Sequence, residues 1–160
     1  MPGNLPARYV AVIGGGEADP EVTAMALEVG RELAHRGAVV ICGGLGGVMA
    51  AAARGVQEAG GVSIGILPGP DRHFANPYLT YTIPTNLGHA RNMIIAHAAD
   101  AVIAVGGSYG TISEAAIALK LGKPVVALAV DWDLPHLKTA KTSQEAVSMT
   151  IDALRITGRT

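Results

Sequence analysis

The sequence lacks the features that define several broad protein classes. With its single cysteine, Cys42, the chain cannot form an internal disulfide framework. The absence of such a framework is typical of proteins in a reducing cytoplasm. No apolar run reaches the ~18 residues that a transmembrane helix needs. Residues 1–5 also lack the basic start and following apolar region of a secretory signal peptide. We therefore expect a cytoplasmic protein that has no membrane partner.

Charged residues are also scarce. They make up 16% of the chain, against about 25% in a typical soluble domain. The formal net charge of -1 gives no electrostatic reason to expect a nucleic acid as partner. Because so little charge suggests that part of the surface is covered, we expect a homodimer or higher homo-oligomer. Helix 89–98 is the candidate interface, through Met93, Ile94 and His97.

Apolar strands alternate with amphipathic helices along the 160 residues. Predicted strands fall at 8–13, 38–42, 62–67, 81–84, 100–105 and 125–130. Predicted helices fall at 20–36, 48–59, 89–98 and 111–121, with a last helix after a capping box of Thr142 and Glu145. Residues 68–77 and 131–141 are predicted loops. Since most strands are apolar on both faces, the pattern predicts an α/β protein. We expect one domain over residues 1–160, a Rossmann-like doubly wound parallel sheet with helices on both faces.

Three loops at the carboxyl edge of this sheet are rich in glycine, and each precedes a helix. They span residues 14–19, 43–47 and 106–111. A helix N-terminus offers free N–H groups and the positive end of the helix dipole to an anion. The three turns therefore predict a site for a phosphate-bearing ligand. We expect the anion at the N–H groups of residues 107–111, shared with residues 44–47.

The predicted ligand-binding residues all lie in these turns. They are Gly15, Gly16, Gly44, Gly46, Gly47, Gly106, Gly107, Ser108, Tyr109, Gly110 and Thr111. Tyr109 is a candidate for stacking on a flat ligand, although packing within the protein would explain it equally well.

Two charged residues, Arg91 and Glu114, are the candidate catalytic pair. A guanidinium near a carboxylate can hold a phosphate and a hydroxyl, or protonate a leaving group. Both residues also have simpler interpretations. Thr111 and Glu114 have the spacing of a capping box, and Arg91 could be the partner in a surface ion pair.

Other types of site fit the sequence poorly. The first turn lacks the third glycine of a dinucleotide fingerprint, and no phosphate-binding G-x-x-x-x-G-K-[ST] motif occurs. The histidines show no metal-ligand spacing with carboxylates or Cys42, and no Gly-x-Ser-x-Gly elbow is present. We therefore expect no metal site.

The stretch Gly106-Gly-Ser-Tyr-Gly-Thr111-Ile-Ser-Glu114, with the upstream Gly88-His-Ala-Arg91-Asn, resembles the Lonely Guy superfamily. The second glycine turn, from Cys42 to Met49, is similar to that of the superfamily as well, and the resemblance covers about residues 8–155. Lonely Guy enzymes hydrolyse the N-glycosidic bond of nucleoside 5'-monophosphates and release ribose 5-phosphate. The resemblance implies that Glu114 is the catalytic carboxylate, that Arg91 is its partner, and that Gly107, Gly110 and Thr111 hold the phosphate.

Two positions differ from the Lonely Guy motifs. Val105 stands in place of a proline and Asn92 in place of a lysine. In both places the sequence more closely resembles a sister branch, the molybdenum cofactor carrier proteins, which bind a pterin with a single phosphate. This resemblance implies a carrier with the molybdenum cofactor as bound ligand, and nucleotide hydrolysis is the alternative function.

Many relatives are labelled lysine decarboxylases, but the lysines do not favour pyridoxal chemistry. A pyridoxal enzyme needs a Schiff-base lysine in its pocket, and the chain has only Lys120, Lys123, Lys138 and Lys141. Lys123 follows a helix, where complementing a helix dipole is the more natural function. We therefore expect no requirement for pyridoxal phosphate.

Overall fold

The computed structural model describes residues 7–156, in which strands and helices alternate. The strands are β1 (Tyr9–Gly14), β2 (Val39–Cys42), β3 (Val62–Leu67), β4 (Tyr81–Pro84), β5 (Ala101–Val105), β6 (Val125–Leu128) and β7 (Lys138–Ala140). The helices are α1 (Pro20–His35), α2 (Val48–Glu58), α3 (Arg91–Ala98), α4 (Tyr109–Lys120) and α5 (Ser143–Ile156). A short 3₁₀ turn, Gly88–Ala90, precedes α3.

The seven strands form one sheet in the order β4-β3-β2-β1-β5-β6-β7, and every pairing is parallel. This confirms the predicted Rossmann-like α/β fold. The chain moves outward from β1 to β4, then returns to the centre and pairs β5 with β1. The strand order therefore reverses between β1 and β5, and such a switch point opens a crevice at the carboxyl ends of the strands.

Alternating side chains of the strands build a core on each face of the sheet. On one face Val10, Val12 and Ile103 pack with α1, α2 and α5. On the other face Ala11, Ile13 and their neighbours pack with α3 and α4. Strands that are buried on both faces explain the continuous apolar runs in the sequence.

Side chains at helix ends behave as their sequence positions predict. The carboxylate of Asp19 accepts a hydrogen bond from the Val22 N–H at 2.8 Å and caps α1, and Pro20 occupies its first turn. At α5, the Glu145 N–H donates to the Thr142 hydroxyl at 3.1 Å. Lys123 donates to the carbonyls of Ala96 and His97 at 2.7 Å, so that it satisfies the C-terminal end of α3.

Three predicted boundaries were wrong. The predicted loop 131–141 contains strand β7, whose three residues are largely polar and pair only with β6. Strand β6 ends at Leu128 because Ala129 has a φ of 57°, in the left-handed region. Helix α4 begins at Tyr109 rather than at Thr111.

The described residues contain neither a helix that could span a membrane nor a cluster of metal-ligating side chains. No helix between residues 7 and 156 has the length and apolar character needed to cross a membrane. The same part of the chain holds no group of three or more His, Cys, Asp or Glu side chains arranged as metal ligands.

Candidate functional site

A cleft of about 340 Å³ lies where the strand order reverses, at the carboxyl ends of β1, β2 and β5. It brings together parts of all three glycine turns with both candidate charged residues. Its lining consists of Val12, Ile13, Gly14, Gly15, Gly16, Gly43, Leu45, Met49, His89, Arg91, Ser108, Gly110, Thr111 and Glu114. The predicted residues Gly15, Gly16, Ser108, Gly110, Thr111, Arg91 and Glu114 are therefore in the cleft wall.

The other five predicted glycines are not part of the cleft wall. They are Gly44, Gly46, Gly47, Gly106 and Gly107. Two of them, Gly47 and Gly107, shape their turns through close contacts with neighbouring residues.

The first and second glycine turns touch each other. The Val48 N–H donates to the Gly15 carbonyl at 3.0 Å, so that the first N–H of α2 is already satisfied. A Cβ atom on Gly47, where φ is 62°, would collide with the backbone of Gly15 and Gly16. Only glycine permits this approach, and the contact leaves the start of α4 as the better anion site.

The third turn presents the start of α4 to the cleft. Gly107 has a φ of 84°, and a Cβ atom there would collide with the Thr111 side chain. Ser108 precedes the helix and makes no side-chain capping bond. The first N–H groups of a helix have no intrahelical acceptor, and the residues that carry them at α4, Gly110 and Thr111, line the cleft.

The capping-box interpretation of Thr111 and Glu114 was wrong. Because α4 begins at Tyr109, Thr111 lies inside the first turn and Glu114 in the second. The Ile112 N–H donates to the Ser108 carbonyl at 2.9 Å, as a residue inside a helix does. The Thr111 side chain is buried, with 4% exposure, and it supports Gly107 instead of capping the helix.

Tyr109 lies outside the cleft. Its side chain is 88% exposed and is not part of the cleft wall. The structure therefore gives it neither a packing contact in the core nor a position against a ligand in the cleft.

Arg91 is half-buried and anchored to the backbone, and it is not among the ion pairs of the described residues. Its Nη1 donates to the carbonyls of Gly43 and Ile66 at 2.5 and 2.6 Å, at the ends of β2 and β3. Burial lowers the pKa of the guanidinium, and the charge of Glu114 opposes this. Its Nε is buried and has no hydrogen-bond partner among the described residues. The guanidinium thus keeps one buried donor unused.

Glu114 is set up to change its charge near neutral pH. Burial raises the pKa of its carboxyl to about 7, against the opposing effect of the Arg91 charge. A carboxyl of this kind can donate a proton when neutral and accept one when ionised. Glu114 could therefore act as a general acid or base, or bind a hydroxyl of a ligand.

Sequence reasoning missed several residues of the cleft. Gly43, Leu45 and Met49 belong to the second turn and its helix, and His89 belongs to the 3₁₀ turn before Arg91. His89 could have been found, because it lies within the motif that contains Arg91. Leu45 and Met49 carry no chemical signal in the sequence, and only the fold brings them to the site.

The sequence is similar to proteins of two different descriptions. It is 46% identical over 144 residues to an uncharacterized protein of Archaeoglobus fulgidus, covering 90% of this chain and 95% of that protein. It is 32% identical over 118 residues to a probable cytokinin riboside 5'-monophosphate phosphoribohydrolase of Oryza sativa subsp. japonica. That match covers 70% of this chain and 51% of the rice protein.

Solved structures of molybdenum cofactor proteins are similar over nearly the whole chain. The molybdenum cofactor binding protein of Rippkaea orientalis matches with a TM-score of 0.89 and 34% identity, covering 94% of this chain and 99% of that one. The molybdenum cofactor carrier protein of Chlamydomonas reinhardtii matches with a TM-score of 0.85 and 33% identity over the same shares. These two structures and the rice relative agree with the predicted place in the Lonely Guy superfamily, near the carrier branch. The SLOG cluster4 family model matches residues 7–155, and the chain therefore belongs to the SLOG cluster4 family.

Proposed function

We propose that this protein binds a small phosphate-bearing ligand and carries it without cleaving it, most like a molybdenum cofactor carrier. One observation carries the proposal. The start of α4, the first glycine turn and the half-buried side chains of Arg91 and Glu114 line a single cleft. The ligand's phosphate lies at the N–H groups of residues 108–111, where the helix dipole favours an anion.

The residues of the cleft fit a phosphorylated pterin as cargo. The guanidinium of Arg91 lines the cleft as a donor for a phosphate oxygen, and Glu114 is an acceptor for a hydroxyl or N–H group. Gly110 has open space around the position of a Cβ atom, so that a ligand can approach the helix backbone. The metal of such a cargo would arrive with the pterin, and no protein side chain is assigned to it.

Hydrolysis of a nucleoside 5'-monophosphate is the second candidate, and the pKa of Glu114 favours it. A carboxyl that titrates near pH 7 can activate water or protonate a leaving base. The position of Arg91 argues against turnover. Its Nη1 is occupied by two backbone carbonyls, and neighbouring Asn92 cannot supply a second positive charge. A site with one constrained cation stabilises an oxocarbenium-like transition state less well than it binds a ground-state phosphate.

The direct test is incubation of the purified protein with AMP, followed by chromatography for free adenine. We expect no adenine above a protein-free control, although AMP or a phosphorylated pterin binds. Fluorescence titration with a phosphorylated pterin and its dephosphorylated form measures that binding, and only the phosphorylated form should bind well. Rapid release of adenine that disappears in Glu114→Gln would contradict the carrier proposal and show that the protein is a hydrolase.

We also propose that the whole chain acts as one binding domain and that it works as a homo-oligomer in the cytoplasm. The continuous sheet supports the first proposal, since the cleft uses residues from β1 through α4. Exposed apolar residues on α3 support the second.

A further inference from the structure

A second pocket adjoins the candidate site. It has a volume of about 340 Å³ and is lined by Leu45, Leu67, Pro68, Gly69, Pro70, Asp71 and Phe74. Leu45 is part of the walls of both this pocket and the cleft that contains Arg91 and Glu114. The two spaces are therefore neighbours, and their combined size is within the ~300–1,000 Å³ typical of small-molecule sites.

The walls of this pocket are held in place by backbone hydrogen bonds. The N–H groups of residues 85, 86 and 88 donate to the carbonyls of residues 67, 69 and 68 at 2.8–3.1 Å. Asn76 donates from its backbone to the Gly44 carbonyl and from its side chain to the Leu45 carbonyl, both at 2.9 Å. The loop 68–76 is thus fixed to the second glycine turn, and the pocket is already formed.

Phe74 has no packing role that explains its position. It is the only phenylalanine of the chain, and its side chain is 80% exposed. Its ring contacts His73 edge-on, with centroids 5.0 Å apart, and leaves its remaining surface available to another ring. An exposed aromatic side chain beside a preformed apolar pocket is typical of a stacking site.

Asp71 is the one charged side chain in the pocket wall. Its Oδ1 accepts a hydrogen bond from the His73 N–H at 2.8 Å, which fixes the carboxylate and leaves Oδ2 for another donor. An anchored carboxylate at the rim of an apolar pocket is suited to N–H groups on the edge of a ring.

From this arrangement we propose that the second pocket holds a planar heteroaromatic ring with N–H donors on its edge, while the neighbouring cleft holds the phosphate of the same ligand. Phe74 stacks on the ring, and Asp71 selects rings that present adjacent N–H donors. This inference rests on the proposed phosphate-binding function, and it adds that the ring contributes affinity through residues outside the cleft.

The test compares ribose 5-phosphate, AMP and GMP by isothermal titration calorimetry. All three carry the phosphate, the two nucleotides add a ring, and only guanine has a ring N–H beside an amino group. We expect GMP to bind at least tenfold more tightly than ribose 5-phosphate, and more tightly than AMP. If none of the three binds, the proposed phosphate-binding function fails. If all three bind equally, only the ring pocket fails.

Substitutions at two residues, Phe74 and Asp71, assign the ring contribution. Phe74→Ala should weaken GMP binding about fivefold or more, as base–aromatic stacking does elsewhere, and should leave ribose 5-phosphate unchanged. Phe74→Trp should keep the affinity for GMP close to that of the wild type, because tryptophan also stacks on a ring. Asp71→Asn should remove the preference for GMP over AMP. Tyr81→Ala is the matched control, because Tyr81 is 63% exposed on β4 and lines neither pocket. An equal loss of GMP binding in Tyr81→Ala, or no loss in Phe74→Ala, would overturn the proposal.

Discussion

Arg91 and Glu114 line one cleft and attract each other electrostatically, but no salt bridge joins them. The ion pairs in the described part of the chain all involve other residues. Arg91 instead donates to the carbonyls of Gly43 and Ile66. The Glu114 carboxyl is consequently left without a cation in direct contact, and its burial sets the pH at which the cleft gains a negative charge.

Anion binding should therefore weaken as the pH rises through about 7, the pKa of Glu114. Sulfate is the best probe, because its own charge does not change in this range. We expect its affinity to fall about three- to fourfold between pH 6 and pH 8, since ~1 kcal/mol of added repulsion gives about fivefold between the fully neutral and the fully ionised carboxyl. Calorimetric titration at several pH values measures it. In Glu114→Gln the affinity should stay nearly constant, and an equally steep fall in that variant would assign the effect to another group.

Glu114 should also make the folded protein less stable as the pH rises. The pKa of its carboxyl is raised from 4.5 to about 7 in the folded protein. Between these two pH values the folded state therefore holds a proton that the unfolded state has lost. The protonated carboxyl of Glu114 contributes its full stabilisation of the folded state below pH 4.5, and this contribution disappears as the pH rises through about 7. Compared with wild type, the Tm of Glu114→Gln should fall less over this range, as measured by circular dichroism. A larger fall in the variant would contradict this assignment.

A large side chain at Gly110 should block the anion site without disturbing the fold. Because a Cβ atom there would have no contact within 4 Å outside its own turn of helix, Gly110→Leu should leave Tm nearly unchanged, and leucine favours a helix more than glycine does. Its side chain would cover the free N–H groups, so we expect sulfate and phosphate binding to weaken more than tenfold. Ser113→Leu, at an exposed position of the same helix, is the control. Unchanged binding in Gly110→Leu would move the anion site elsewhere.

Removing the guanidinium of Arg91 should destabilise the protein as well as weaken binding. Arg91→Met leaves the carbonyls of Gly43 and Ile66 without their donor, at an expected cost of about 2–3 kcal/mol in the free energy of unfolding. Urea unfolding followed by circular dichroism measures this. Arg155→Met, at a position 61% exposed beside Asp152, should change stability by only about 0.5 kcal/mol. Equal effects of the two substitutions would show that the Arg91 hydrogen bonds contribute little.

The exposed apolar side chains of α3 should form the interface of a homo-oligomer. Met93 is 44% exposed and Ile94 is 38% exposed, whereas the neighbouring Ile95 is buried in the core. Light scattering should give at least twice the 16.3 kDa mass of one chain. Met93→Glu combined with Ile94→Glu should give a monomer, because two charges would be buried in the interface. Ile156→Glu, at the 85% exposed end of α5, should leave the mass unchanged. A wild-type monomer at micromolar concentration would refute the interface.

The sequence by itself determined the architecture of this protein. Strands buried on both faces leave continuous apolar runs, and helices covered on one face leave a stripe of period 3.6, so both can be recognised locally. Asp19 and Thr142 marked helix starts for the same reason, since a cap bonds to residues only three positions away. The glycine turns likewise predicted that the ends of β1, β2 and β5 would meet at one cleft.

Tertiary structure decided everything that depends on contacts between distant parts of the chain. Strand β7 was missed because its short polar sequence is extended only through pairing with β6. The sequence left open whether Arg91 is a site residue or a surface ion-pair partner, and only the fold brings it to the two carbonyls that anchor it, 48 and 25 positions away. The pKa of Glu114 follows from burial in the folded protein, which no local pattern records. Leu45 and Phe74 meet at one pocket only because Asn76 fixes its loop to the second glycine turn.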